Sequence, residues 1–376
     1  MVRPVAPLWL ARPSRFAGLE RPTARVVALL AALLVLLSFT ALVGAAPPPV
    51  EGPVATADDR ADVLLYDTIV EQVRHGADYY VVAAQEMRRS DYPLRPFVTM
   101  RLPTLAVVQA HLPPFATTAL LYALVVAVTA AWYARLRGPL PRRAPRLLAA
   151  VLLLAGVAPF VQRDLLAFHE VWAGLLIALS LALRRPGHAT AAIAMGLSAM
   201  LIRETAALYA GVMLAGALLG GRRGEALGWT AALAVLAAAV AAHAAAVATV
   251  TGPFDPTSPG WAGLLGYGFF VRAMTALTAL AVLPAWIAAP LVPLALIGWA
   301  SWRDPLALRV LTTLAGYALL LALFARVDTY YWGMMAAPLL LVGLAFAPDG
   351  VRDLRRAAGA RRRITVTRGL RGEAGR

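Results

Sequence analysis

The chain has 376 residues, of which 60% are hydrophobic, and it carries a formal net charge of +15. Soluble domains are roughly 45 to 50% apolar, so this composition indicates a polytopic membrane protein. The charge comes from arginines clustered between apolar runs, without any lysine, which is typical of cytoplasmic loops and argues against a nucleic-acid-binding protein. The absence of cysteine excludes disulfides, a thiolate nucleophile and a cysteine metal site.

The first predicted membrane span is 26–46, a run of 21 residues without a charge, long enough for the roughly 30 Å hydrocarbon core. Residues 1–25 carry five arginines and one acid, which predicts a cytoplasmic basic N-terminus. A cleaved signal peptide is the alternative, because Gly44-Ala45-Ala46 resembles a cleavage site. A signal's apolar core is typically about 7 to 15 residues, so a retained anchor is favoured.

The second predicted span is 115–134, and five arginines follow it between residues 135 and 146. These arginines place its end in the cytoplasm, so residues 47–114 are predicted to form a large first periplasmic loop. Within that loop, residues 105–112 are expected to form a short helix lying at the membrane interface.

From residue 147 onward one pattern recurs: an apolar stretch too long for one span, with arginines at its ends and polar residues at its midpoint. The stretches are 147–183, 189–220 and 306–347. Each is predicted to be a helical hairpin with its apex outside. One long helix would instead bury each midpoint charge at a cost of about 3 kcal/mol.

The remaining segments complete the predicted topology. Residues 226–250 should run outward, 252–272 should form an outer loop, and 284–301 should return. The sequence therefore predicts an all-α membrane domain over 26–348, with about ten transmembrane helices in a range of eight to eleven. A cytoplasmic arginine-rich tail should follow over 349–376, with both termini in the cytoplasm.

In this topology every polar apex falls on the same side as the acidic and aromatic segment 58–103. Ionisable groups at the membrane edge are candidates for function. The candidate site residues are Asp58, Asp59, Asp62, Tyr66, Tyr79, Tyr80, Arg101, Arg163, His169, Glu170, Arg203, Glu204, Arg326, Tyr330 and Tyr331.

Three elements of the first loop form a recognisable series: Asp62-x-x-x-Tyr66, Gly76-Ala77-Asp78-Tyr79-Tyr80 and Arg101-Leu102-Pro103. The series resembles GT-C glycosyltransferases related to protein mannosyltransferases and lipid A aminoarabinose transferases, over about residues 26 to 134. This resemblance implies a polyprenyl-phosphate-linked sugar donor and a large first periplasmic loop. Two departures stand out: Val63 follows Asp62 where the family often has a second acid, and Arg101-Leu102-Pro103 replaces lysine-proline-proline.

The chemistry of such a transfer needs a carboxylate to deprotonate or orient the acceptor hydroxyl. Asp62 or Asp59 is the candidate base, with Asp58 completing the nearest acidic pair. The alternative is that these acids solvate the loop, or that Asp62 caps a helix that begins near Val63.

The leaving phosphate requires cations as negative charge develops on it. The arginine fork suits phosphate oxygens, which makes Arg101, Arg163, Arg203 and Arg326 candidate phosphate ligands. Ordinary snorkelling of these side chains to the headgroup layer is the alternative.

Other polar residues have weaker assignments. His169 and Glu170 could carry a proton or bind a metal, and His243 is expected to make an interhelical polar contact. If a divalent metal is used, carboxylates favour Mg²⁺ or Mn²⁺ over zinc. The tyrosines and Trp332 could stack on a sugar, although aromatic belts also place tyrosine and tryptophan at this depth.

The leading hypothesis is a bacterial inner-membrane glycosyltransferase that moves a sugar from a polyprenyl-phosphate donor to a periplasmic glycan, lipid or protein. One alternative is a transporter or flippase, which should show internal repeats and broken helices. A ligase or polymerase of lipid-linked glycans is another. A non-catalytic envelope scaffold would tolerate the loss of every aspartate named above.

Overall fold

The computed structural model describes residues 6–43, 57–162 and 165–359, and gives only the backbone for 57–62. Over these ranges the chain is helical and contains no β-strand, which confirms the all-α prediction. Five helical segments are long and apolar enough to cross a membrane: Arg21–Leu42, Pro114–Arg135, Arg143–Val161, Arg223–Val250 and Pro305–Leu323. Four further apolar helices are shorter: His169–Leu183, Thr190–Ile202, Glu204–Leu219 and Ala285–Ser301.

The described chain contains fifteen α-helices. The first eight are α1 (Arg21–Ser38), α2 (Ala57–Arg74), α3 (Tyr79–Arg89), α4 (Thr104–His111), α5 (Pro114–Arg135), α6 (Arg143–Val157), α7 (His169–Leu183) and α8 (Thr190–Ile202). The others are α9 (Ala207–Leu219), α10 (Arg223–Val250), α11 (Gly266–Ala276), α12 (Ala285–Ser301), α13 (Pro305–Leu323), α14 (Ala337–Leu340) and α15 (Ala347–Gly359).

The first membrane helix is shifted toward the N-terminus relative to the prediction. It begins at Arg21 and ends at Ser38, where a 3-10 turn continues it to Leu42. Pro22 lies in its first turn, where the missing N–H costs nothing because that group has no intrahelical partner. The helix therefore starts within the basic segment, before the uncharged run.

The helix that was expected to start near Val63 begins at Ala57. The alternative in which Asp62 is its N-cap is therefore wrong, because position 62 lies inside the helix. The side chains of Asp58, Asp59 and Asp62 lie outside the described part of the structure.

The structure divides each of the three predicted hairpin stretches into two helical segments near its polar midpoint. Helices α6 and α7 have 15 residues each, and α8 and α9 have 13 each; α13 and the segment 327–345 form the third pair. In the described chain the turns between these segments lie at residues 158–162 with 165–168, at 203–206 and at 324–326. We call the end of the bundle that holds these turns the cavity face. The opposite end, with residues 184–189, 219–222 and 302–304, is the terminal face.

The two ends of the described chain meet at the terminal face. The backbone N–H groups of Leu8, Trp9 and Leu10 donate to the buried Asp349 carboxylate of α15 over 2.6–2.9 Å. Ser14 donates to Asp353 in the same way, at 3.0 Å. The N-terminal segment is thus bound to the helix that ends the described chain.

The last apolar segment is irregular and lies in the core. It consists of the 3-10 segments Val327–Met335 and Leu341–Ala345 on either side of α14. A Cβ at Gly298 of α12 would overlap with the Gly343 carbonyl, and one at Gly174 of α7 with the Met334 carbonyl. Small residues therefore allow this backbone to approach its neighbouring helices closely.

Outside the bundle, the first polar segment is held against the loop 251–265. Arg88 of α3 binds Asp255 with two hydrogen bonds of 2.8 Å, and this partner lowers the pKa of Asp255 to about 2. Leu94 donates to the Pro256 carbonyl at 3.0 Å, and Ser258 to the Arg95 carbonyl at 2.7 Å. We call this pair of segments the clasp.

We expect Asp349→Asn to release the N-terminal segment, because a neutral amide accepts more weakly than a carboxylate from three N–H groups. Hydrogen–deuterium exchange at residues 8–10 should accelerate at least about tenfold, which corresponds to about 1.4 kcal/mol. Glu20→Gln removes the same charge from an exposed residue of that region and should leave the exchange unchanged. Unchanged exchange in Asp349→Asn would contradict this role.

The clasp should weaken in acid. The folded pKa of Asp255 is about 2, below the ordinary value of about 4, so the carboxylate stabilises the clasp above about pH 4. That stabilisation is lost as the pH falls from about 4 toward 2. Exchange at residues 94–95 and 256–258, corrected for intrinsic rates, should rise over this range, and Asp255→Asn should remove most of the rise. Equal pH dependence in both proteins would exclude Asp255 as the cause.

Candidate functional site

A cavity of about 710 Å³ opens at the cavity face, a size typical of small-molecule sites. Its walls come from α2, the 92–101 loop, the turns at 165–168 and 203–205, the end of α13 and residues 326–334. Ser258 and Trp261 of the clasp loop also line it. Segments far apart in the sequence therefore converge on one space.

A buried ion-pair network forms one wall of this cavity. Arg203 Nε donates to Glu170 Oε1 at 2.6 Å, and Arg203 also pairs with Glu204. Arg101 Nη2 lies 3.6 Å from the same Glu170 oxygen. Arg203 and Glu170 are each 2% exposed, while Glu204 retains 25% exposure. Glu170 thus holds two arginines from behind, and Glu204 lies at the cavity surface.

The local backbone explains how Arg203 and Glu204 reach the cavity. Arg203 caps the C-terminus of α8 in an extended conformation, with φ −139° and ψ 107°, and Glu204 starts a short 3-10 turn. This break reverses the chain and puts two consecutive charged side chains at the apex of the hairpin.

Arg101 is positioned by three tyrosines. Its Nε donates to the Tyr66 hydroxyl at 3.2 Å and its Nη2 to the Tyr331 hydroxyl at 3.4 Å. The Tyr79 hydroxyl donates to the Arg101 carbonyl at 2.7 Å. Burial raises the pKa of Tyr79, so this hydroxyl stays protonated and remains a donor. The guanidinium is therefore oriented before any ligand arrives.

A second ion pair lies at the more exposed edge of the cavity. Arg326 binds Asp328 through two hydrogen bonds of 3.1 and 2.6 Å. The Thr329 hydroxyl accepts from the Arg326 N–H at 2.8 Å, and Arg326 is the N-cap of the 3-10 segment that begins at Val327. The pair places one more arginine at the edge of the same space.

The structure brings about half of the predicted site residues to the cavity wall. These are Tyr66, Arg101, Arg203, Glu204, Arg326, Tyr330 and Tyr331. Two more, His169 and Glu170, are buried behind that wall. Among the described residues, Tyr79 and Tyr80 do not line the cavity. They support the 92–101 loop instead. Arg163 and the side chains of the three aspartates lie outside the described residues.

The network is electrically balanced. Arg101 and Arg203 carry two positive charges, and Glu170 and Glu204 carry two negative charges. An anion that approaches the cavity meets two arginines at its wall, while one of the two carboxylates, Glu170, is buried behind them. This arrangement suits a ligand that combines a negative group with hydroxyls, because donors and an acceptor lie side by side.

The histidines have different surroundings. The described residues contain no group of three or more side chains that could hold a metal, and the Glu170 carboxylate binds arginine instead. His169 packs its ring edge-on against Tyr66, with 5.3 Å between ring centroids. His243 lies 3.3 Å from the Tyr80 hydroxyl and 3.1 Å from the Met100 carbonyl, which confirms the expected interhelical polar contact.

Several cavity residues were not among the predicted site residues. They include Phe168, Trp261 and Asp328. Asp328 could have been found from its position beside Arg326 at a hairpin apex. Trp261 carried no such signal, because only the clasp brings its loop to the cavity.

Comparison of the chain with protein-family models, with curated proteins and with solved structures finds no match.

We expect Glu170→Gln to lower the free energy of unfolding by about 3–5 kcal/mol, because it leaves two buried arginines without their shared carboxylate. A double-mutant cycle with Arg203→Gln, measured by unfolding in mixed micelles, should give a coupling of about 1–3 kcal/mol. The control is the more exposed pair Glu71 and Arg74, whose coupling should be at most about 1 kcal/mol. Equal coupling in the two cycles would contradict a buried, tightly coupled network.

Proposed function

We propose that the chain is a membrane glycosyltransferase of the GT-C type. It transfers a sugar from a polyprenyl-phosphate donor to a glycan, lipid or protein acceptor on the periplasmic side of the inner membrane. The observation that supports this most directly is the convergence of Arg101 and Arg203 on one cavity wall beside Glu204. These residues come from the first polar loop and from a hairpin apex about a hundred positions later.

Each part of the cavity has a role in this reaction. Arg101 and Arg203 bind the donor phosphate and stabilise the charge that grows on it as the glycosidic bond breaks. A carboxylate accepts the acceptor's proton as its oxygen attacks the anomeric carbon. In an inverting transfer one base suffices: the bond from the anomeric carbon to the acceptor oxygen forms as its bond to the phosphate oxygen breaks, and the polyprenyl phosphate leaves.

The register of α2 supports the aspartates as candidates for this base. Positions 59, 62, 63 and 66 follow the i, i+3, i+4, i+7 spacing of one helix face, and Val63 and Tyr66 line the cavity. The spacing favours Asp62 and Asp59 over Asp58. Glu204 is a further candidate, because it lines the cavity and keeps partial exposure.

The apolar part of the cavity supports a lipid-linked donor. Leu320 and Phe324 at the end of α13 line it, and Phe324 is 52% exposed on the outside of the bundle. The sugar phosphate would occupy the polar wall while the polyprenyl chain extends over this apolar edge into the membrane. If a divalent metal takes part, the acidic residues of α2 favour Mg²⁺ or Mn²⁺.

The arrangement of the helices supports about ten spans. The five long helices, the four shorter apolar ones and the segment 327–345 alternate between the two faces. Arginines are concentrated at the terminal face, which the positive-inside rule assigns to the cytoplasm. The cavity then faces the periplasm, where polyprenyl-phosphate sugars are used.

A transporter or flippase is the second candidate, and one observation favours it. The last apolar segment is divided into 3-10 and α pieces, as transporter helices often are near a substrate site. The positions of the charged networks argue against a transporter. They lie toward the two ends of the helices, whereas transporter substrate sites lie near the middle of the membrane.

The test compares glycan and lipid profiles of cells that carry the wild type, a deletion, or Asp62→Asn, Asp59→Asn or Arg101→Gln at equal expression. Loss of a general base lowers rates about 10²- to 10⁴-fold, so one Asn variant and Arg101→Gln should reproduce the deletion. Asp91→Asn is the matched control: it removes an exposed acid of the same polar segment, and asparagine tolerates its positive φ of 56°.

Two outcomes would redirect the proposal. Wild-type profiles from both Asn variants would exclude Asp62 and Asp59 as the base, and Glu204→Gln would then be examined. Wild-type profiles from all these variants, with a phenotype in the deletion alone, would exclude the transferase and favour transport or scaffolding.

A further inference from the structure

A second group of buried charges lies at the terminal face, far from the cavity. Arg184 binds both oxygens of Glu225 at 2.9 Å. Arg309 donates to Glu225 Oε1 at 2.9 Å and Arg222 to Oε2 at 2.7 Å. Three arginines from the ends of three hairpins therefore share one carboxylate. We call these four residues the arginine cluster.

The arginine cluster carries two more positive charges than negative ones. Arg184 and Arg309 are 3% and 5% exposed, and Arg309 Nη2 is buried without a hydrogen-bond partner within the described chain. Buried charge without compensation is costly. An anion bound at the accessible edge of the cluster would offset this cost.

The accessible edge of the arginine cluster is positively charged. The Arg222 side chain is 29% exposed, and Arg185 and Arg223 beside the cluster are exposed. Helix α10, with 28 residues, begins at Arg223 without a side-chain cap. This helix start lies beside Arg222 and has Glu225 in its first turn, and helix starts attract phosphate groups.

Apolar side chains adjoin this edge on the outside of the bundle. Leu219 is 90% exposed, Leu227 is 70% exposed and Leu218 is 63% exposed. All three flank Arg222 and Arg223 in sequence, at the end of α9 and the start of α10. A ligand that fills the whole surface needs a negative head for the arginines and hydrocarbon for the leucines.

We propose that the start of α10 binds the phosphate of an anionic phospholipid, with its acyl chains against the leucines of α9 and α10. The charge of the cluster selects an anionic over a zwitterionic headgroup. Arg309 is separated by eleven residues of α13, or about 16 Å, from Leu320 of the cavity wall. The lipid site is thus independent of the proposed transferase reaction.

The test titrates full-length protein in neutral detergent with phosphatidylglycerol and measures bound lipid by native mass spectrometry. Each arginine near a membrane surface contributes about 1 kcal/mol, or about fivefold, to anionic lipid binding. Arg222→Gln with Arg223→Gln should therefore weaken Kd about 25-fold. If that protein does not fold, Arg185→Gln with Arg223→Gln, which leaves the cluster intact, should show the same loss.

The control is Arg355→Gln with Arg356→Gln, which removes the same charge from exposed positions of α15 and should change Kd less than about threefold. An equal loss of affinity in both double variants would show that the lipid responds only to the general surface charge, and it would overturn the proposal. Equal binding of phosphatidylcholine would also overturn it. Inorganic phosphate that displaces the lipid at equal concentration would identify a free phosphate site instead.

Discussion

The structure depends on one constraint, which is that arginine stays charged and cannot be buried in an apolar bundle without a partner. Two glutamates satisfy this constraint at opposite ends of the same helices. Glu170 holds Arg203 at 2.6 Å near the cavity, and Glu225 holds Arg184 at 2.9 Å at the terminal face. Short helices of 13 to 15 residues follow from this arrangement, because each hairpin must bring its polar residues to one of these two layers.

The two layers differ in what they leave for a ligand. At the cavity face the charges balance, and Arg101, which tyrosine hydroxyls hold in place, lines an open space of about 710 Å³. At the terminal face three arginines share one acid, and the excess charge lies beside exposed leucines. The first arrangement suits the chemistry of a phosphate leaving group, and the second suits the static binding of a lipid phosphate. The two layers thus use the same residue type and differ in how completely the carboxylates neutralise it.

Much of this architecture was readable from the pattern of hydropathy. Charges at the midpoints of the apolar stretches 147–183, 189–220 and 306–347 predict that each is divided into two helical segments, and the structure shows this division. The alternative role of Asp62 as an N-cap is wrong because α2 starts six residues earlier than expected, and local cap preferences do not determine where a polar helix begins. The sequence gives no sign that Arg309 is buried, because an arginine near the start of an apolar run is typical of a side chain that snorkels to the headgroup layer.

Sequence alone indicated an all-helical, arginine-rich membrane chain whose polar apices share one side. The reason is that helices in lipid require long apolar runs, and arginines between these runs mark the cytoplasmic ends. It also singled out Arg101, Arg203 and Glu204 one by one as candidates. Only the tertiary structure decided that these three meet at one cavity and that Glu170 lies behind two arginines. The physical reason is that such contacts depend on how hairpins distant in sequence pack against each other, and hydropathy within one segment carries no information about its neighbours.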